Sequence, residues 1–167
     1  DSKKRKLLSG FISIVILALL AAILAYPKIF KRNALENLRA KGRISVAVMP
    51  FQNMTNDTLL WNVWQEGIQN ELINKLTNSE ELQVRQSEST SLLLKSKNLL
   101  NYASITPSVA SSISKNLDAN VFIIGSIKQA GATIRLNAQL IDSKTKEAFK
   151  SFEIDGTEKN ILSIIDS

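Results

Sequence analysis

The hydrophobic pattern opens on residues 7–26, LLSGFISIVILALLAAILAY, which carry no charged side chain. At about 1.5 Å per residue this stretch makes a helix of roughly 30 Å, the thickness of a bilayer's hydrocarbon core. It predicts one transmembrane helix. A helix buried in a globular core rarely stays apolar on every face for so many turns. A cleaved signal peptide has a shorter apolar core, and no A-x-A pattern ends at Ala25.

Beyond it, residues 27–43 read as a basic stalk. Leu35 and Leu38 lie three apart among charges, and Gly42 ends the short surface helix they predict. Residues 44–51 are apolar on both faces, as a central parallel strand requires, and Pro50, which has no N–H, should end its ladder. The polar run 52–58, QNMTNDT, predicts a loop and helix cap. It has neither the glycines nor the lysine of a phosphate loop. A helix follows over 59–76, with Trp61, Trp64, Ile68, Leu72 and Leu76 forming the stripe to be buried. Gly67 interrupts it at about 1 kcal/mol relative to Ala, tolerable where backbone must lie close to a sheet.

The pattern then gives a short strand at 82–86, a helical run from Ser87 through Leu92, Leu93 and Leu94, and a loop at 98–104. Thr106 and Pro107 are an N-cap and first-turn proline for a helix buried along Val109, Ala110, Ile113 and Leu117. Residues 121–127, VFIIGSI, form a third central strand, with Gly125 marking a close backbone approach or bulge. Next, Ile134, Leu136, Ala138 and Leu140 alternate with Thr133, Arg135, Asn137 and Gln139, the period of a half-exposed strand. A turn at Ala130 and Gly131 joins it to the third strand, and residues 143–146 lead to a fifth at 147–154. The sum is an α/β fold: a three-layer α/β/α sandwich on a five-stranded mixed sheet, three parallel strands followed by an antiparallel meander. Residues 157–167 begin a further amphipathic helix. With an opening Asp1 in place of Met, this predicts a piece of a larger protein.

Charge changes the picture when it is divided along the chain. Residues 1–43 hold 10 Lys and Arg against 2 Asp and Glu, a net +8, and residues 44–167 hold 11 against 13, a net −2. The overall +6 therefore belongs to the membrane flanks, and a nucleic-acid role for the soluble part, residues 44–156, loses its support. Four basic residues precede the apolar stretch within 1–6 and six follow within 28–43, so charge alone does not orient it. The sequence contains no Cys and no His, which removes thiolate and imidazole metal ligands, Cys nucleophiles and His-based triads. Carboxylate chemistry among Asp57, Glu66 and Glu71 is disfavoured, because Glu66 and Glu71 are five apart and off one helical face. No cofactor or metal is expected.

Residues 45–57, SVAVMPFQNMTND, resemble the opening signature of the TolB N-terminal-like domain of bacterial membrane-anchored regulators. Residues 64–73, WQEGIQNELI, resemble that family's Asp-Gly-Ile/Leu helix, and residues 118–142 its Gly-Ser strand and Arg-x-x-x-Gln-Leu-Ile-Asp hairpin. The motif residues carried by the likeness are Pro50, Phe51, Asn53, Asp57, Gly67, Gly125, Ser126, Gly131, Gln139 and Asp142. Glu66, Asn70, Lys146 and Phe149 depart from it, at places where an Asp, an acidic residue, a turn Gly and a Trp are usual. The resemblance implies an anticodon-binding-domain-like sandwich between a membrane helix and C-terminal tetratricopeptide repeats, with an upstream cytoplasmic output domain. It implies no catalytic residues in this domain, and it places the basic residues 3–6 in the cytoplasm.

The expected function is thus a non-catalytic extracytoplasmic sensor or protein-interaction domain of a bacterial signalling or transcription-regulatory protein, single-pass in the inner membrane. The alternative is an envelope assembly or transport component using the same domain as a docking module. Protein partners are expected in both, with Arg135, Asn137 and Gln139 on the polar face of the hairpin as the candidate surface.

Overall fold

A computed structural model describes residues 36–56, 58–99 and 101–157. The chain divides into two compact units, Asp1–Ala40 and Lys41–Ser167. In the first, residues 36–40 are helical. The membrane helix expected at 7–26 and the final helix expected from 158 lie outside the described residues. No helix among the described residues is long and apolar enough to cross a membrane.

The second unit runs β1 (Ile44–Val48), β2 (Gln52–Met54), α1 (Thr58–Thr77), β3 (Leu82–Val84), α2 (Ser87–Ser96), a 3₁₀ turn (Tyr102–Ser104), α3 (Pro107–Asn116), β4 (Val121–Ala130), β5 (Thr133–Asp142) and β6 (Ala148–Gly156). The sheet order is β3-β1-β4-β5-β6, with β2 paired to β4 beside β1. β1, β2, β3 and β4 are parallel, and β5 and β6 turn back as an antiparallel meander. The expected mixed sheet is present with six strands instead of five. The extra strand is Gln52–Met54, where the polar sequence predicts only a loop.

The physical reason lies at Pro50. Val48 stands opposite Ile123 and Gln52 opposite Ser126, so four steps of the first line face three steps of β4. One residue is extra. The Met49 N–H still bonds the Ile123 carbonyl at 2.9 Å, Pro50 has none to offer, and pairing resumes at Gln52. The bulge also exchanges faces: Ala47 and Met49 point one way, and Phe51 the other.

On the first face Ala47, Met49, Phe122 and Ile141 pack against Leu94 of α2 and Ala110 and Ile113 of α3. On the second, Phe51, Ile127, Ile134 and Leu136 pack against Ile68 and Leu72 of α1. Helices therefore cover both faces of the sheet, and each fully buried large side chain contributes about 1.5–3 kcal/mol. The buried stripe of α3 is the expected one, with Val109 and Leu117 at its margin. That of α1 is turned: Gln65, Ile68, Gln69 and Ile73 are buried, whereas Leu72 and Leu76 are only half-buried. The side chains of Trp61 and Trp64 lie outside the described residues. In α2, Leu94 and Thr90 are buried and Leu92 faces solvent.

Both α2 and α3 end on a residue in the left-handed region. Asn98 (φ 56°) and Asp118 (φ 51°) are followed by N–H groups that bond back five residues, Leu99 to Leu94 at 2.9 Å and Ala119 to Ser114 at 2.8 Å. These are Schellman ends built on Asn and Asp in place of Gly. The β4–β5 loop is Gly131 and Ala132, one residue later than expected, and Gly131 (φ 62°) supplies the positive φ of a two-residue hairpin.

Candidate functional site

Beyond the face exchange at Pro50 the sheet and the start of α3 enclose a groove. Register places Ile124, Ser126 and Lys128 of β4, Asn137 and Gln139 of β5, and Ser151 of β6 side by side. Together with Pro50, Gln52 and the start of α3 they line this groove, of about 410 Å³. One wall is Ile105, Thr106 and Pro107. Thr106 caps α3 by accepting the Val109 N–H at 3.3 Å, and Pro107 holds the first helical position. Gln52 crosses to that wall, its Nε2 donating to the Ile105 carbonyl at 3.0 Å. Gln139 reaches the Ser151 hydroxyl at 3.4 Å.

Amides and hydroxyls (Gln52, Thr106, Ser126, Asn137, Gln139, Ser151) share this lining with apolar side chains that include Ile105, Ile124 and Phe152, and Lys128 is the one charged side chain among the described residues that form it. The described residues hold no cluster of three acidic, His or Cys side chains. What the groove offers is a set of neutral donors and acceptors at the carboxyl end of the parallel strands, where open α/β sheets bind their ligands.

Of the candidate surface, Asn137 and Gln139 lie in the groove and Arg135 lies beyond it. Arg135 faces β6. Its Nε and Nη2 donate to the two carboxylate oxygens of Asp155 at 2.7 and 2.8 Å, and its Nη1 is 3.1 Å from Glu153. The hydrogen bond from Arg135 holds the Asp155 carboxyl below its usual range. Reciprocally, Asp155 raises the already high affinity of Arg135 for its proton. All three side chains are about half exposed, so this is a salt-screened surface network.

The motif residues divide by role. Pro50, Gly125, Ser126 and Gln139 line the groove. Phe51 is 2% exposed and lies over Gly125, where a Cβ would also meet the Asn137 carbonyl at 2.6 Å. Asn53 accepts from the Thr55 N–H and hydroxyl at 2.9 and 2.7 Å, and Asp142 accepts from the N–H groups of Lys144 and Thr145 at 2.7 and 2.8 Å. Both build turns. Gly131 makes the hairpin, Gly67 is half-buried in α1, and Asp57 lies outside the described residues. Gln52 and Ile105 were not legible as groove residues: one reads as loop, the other as the residue before a helix cap. Thr106 and Pro107 were legible as a cap, which is the signal that could have placed the wall.

The sheet and its helices form a small α/β domain whose fold is shared with solved structures. Lipoprotein GNA1162 of Neisseria meningitidis matches at TM-score 0.57 and 17% identity over 68% of this chain and 80% of that one. The LpoB C-terminal domain of Salmonella enterica matches at TM-score 0.54 and 21% identity over 77% and 95%. That of Escherichia coli matches at 0.54 and 22% over 69% and 83%. At these identities the likeness is one of fold. The chain belongs to the family of CsgG, the curli production assembly/transport component, whose family model matches residues 28–135. No curated protein sequence matches it.

Proposed function

We propose that this chain is an envelope assembly or transport component whose soluble α/β unit is a non-catalytic docking module, tethered to the membrane by residues 7–26. Membership of the CsgG family carries this reading. The groove supports it, because amides, hydroxyls and apolar side chains side by side, with Lys128 as the one charge among the described lining residues, suit contact with a protein surface. The partner is a protein, engaged through Asn137, Gln139 and their neighbours. No nucleic acid binds through this domain.

The TolB N-terminal-like signature at 45–57 is the finer part of the proposal. It supports a single pass through the inner membrane with the α/β unit outside the cytoplasm. The further association with tetratricopeptide repeats and an output domain, and with it the sensor reading, rests on that resemblance alone. The family match favours assembly.

The test is in-cell photocrosslinking of the full chain with a photoreactive residue at Asn137 or Gln139, and Leu92, 68% exposed on α2, as the control position. Discrete protein adducts are expected from positions 137 and 139 and not from 92. The adduct from position 137 should weaken when Gln52 and Gln139 are replaced by Ala, and that from position 139 when Gln52 and Asn137 are. Adducts of equal yield from all three positions, or reporter fusions that place the α/β unit in the cytoplasm, would sink the reading.

A further inference from the structure

We infer that β6 is a pairing edge for a second copy of this chain, joined antiparallel about a twofold axis at Phe152. β6 is the outermost strand of the sheet and bonds β5 alone among the described strands. Its register with β5 is regular from Lys150 to Gly156, after a shift that leaves Phe149 extra. No described strand takes up the outer N–H and C=O groups of this stretch, which offer a template for another strand.

The side chains say which strand fits. On the face shared with Leu136 and Ala138, Phe152 and Ile154 are 46% and 41% exposed, unusual for large apolar residues on an edge. Lys150 lies over one side of the Phe152 ring at 4.9 Å. On the other face Glu153 and Asp155 are already held by Arg135. An antiparallel pair keeps like faces together only when the positions facing each other sum to an even number. Centring on Glu153 sets two carboxylates opposite each other, and centring on Ser151 runs the ladder into the irregularity at Phe149. Centring on Phe152 avoids the first and keeps Lys150 to Ile154 clear of the second, whereas centring on Ser151 leaves only Lys150 to Phe152 clear. The Phe152 register sets Phe152 against Phe152, Lys150 against Ile154, and Ser151 against Glu153, with no like charges opposed. The aromatic pair at the axis is the stabilising cross-strand contact, and the lysine stem covers the isoleucine. β6 is thus complementary to itself in that one register, and the complementarity selects a second copy as the occupant.

The chain contains no Cys, so single-cysteine variants report this geometry directly. Residues directly opposite in an antiparallel pair have Cα atoms about 4.5–5.5 Å apart, within disulfide reach, whereas copies of Ser151 would be separated by about 8 Å. Full-length Phe152→Cys in detergent should form a covalent dimer under mild oxidation at least about tenfold faster than Leu92→Cys or Ser151→Cys, because the pair is preorganised. A mixture of Lys150→Cys and Ile154→Cys chains should give heterodimer in preference to either homodimer, a readout that does not alter Phe152. Phe152→Cys reacting at the Leu92→Cys rate, or statistical products from the mixture, overturns the inference. An edge that serves a different protein's extended segment would give that same result from the purified chain.

Discussion

Gln69 shows what a single residue does here that a hydrophobic pattern conceals. It is 1% exposed, and its Nε2 donates to the Val48 carbonyl at 2.7 Å, next to the break before Pro50. A stripe drawn from apolar residues passes it by, because the sequence does not show that a strand interruption will bury a carbonyl there. Replacing Gln69 with Leu keeps the bulk and orphans the acceptor, so urea unfolding should report a loss of about 1–3 kcal/mol. Gly125→Ala should cost roughly 1–3 kcal/mol by overpacking, since the new Cβ meets Phe51 and the Asn137 carbonyl. Lys146 gives the opposite sign. It occupies the left-handed region at φ 62° in the β5–β6 turn, where the resemblance leads one to expect Gly. Lys146→Gly should therefore raise the unfolding free energy by about 1 kcal/mol.

At the scale of elements, α1 and the 3₁₀ turn are tied by Tyr102, whose hydroxyl donates to the Glu66 carboxylate at 2.7 Å. Burial first, then the hydrogen bond to Glu66 and its charge, push the phenol up to about 12 from its ordinary value of 10.0. The folded chain thus holds this proton more tightly than the unfolded chain does. The resulting stability is fully present below about pH 10 and is lost as pH rises toward 12. Tyr102→Phe should lower stability at pH 8 and flatten its decline between pH 10 and 12. Identical slopes for the two proteins would exclude the coupling. Most elements were legible: the parallel strands, the capped α3 and the alternating hairpin all declare themselves by period. β2 was not, because three polar residues after a proline have no strand signature, and β4 supplies the partner that makes them one.

The whole molecule is divided by charge. The flanks carry a net +8 and residues 44–167 a net −2, so a fragment beginning at Ile44 should flow through a DNA column at low salt that retains the full chain. Retention of the fragment would reveal a basic patch that the counts hide. As for the candidate site, the polar face of β5 was legible from alternation, and Asn137 and Gln139 lie in the groove. Arg135 does not, because its side chain is drawn to β6 by Asp155 and Glu153, residues twenty and eighteen positions on in the sequence.

The sequence by itself determined the α/β class, the parallel-then-meander order, the Thr106–Pro107 start of α3 and the separation of basic flanks from an acidic domain. Each of these follows from spacing or composition within a short window. Tertiary structure alone decided the strand made of Gln52–Met54, the burial of Gln69, the groove and the exposed edge of β6. These depend on one extra residue in the line from β1 to β2, set against a strand some seventy positions away. A one-residue offset changes which face each side chain takes, and only the paired partner fixes that offset.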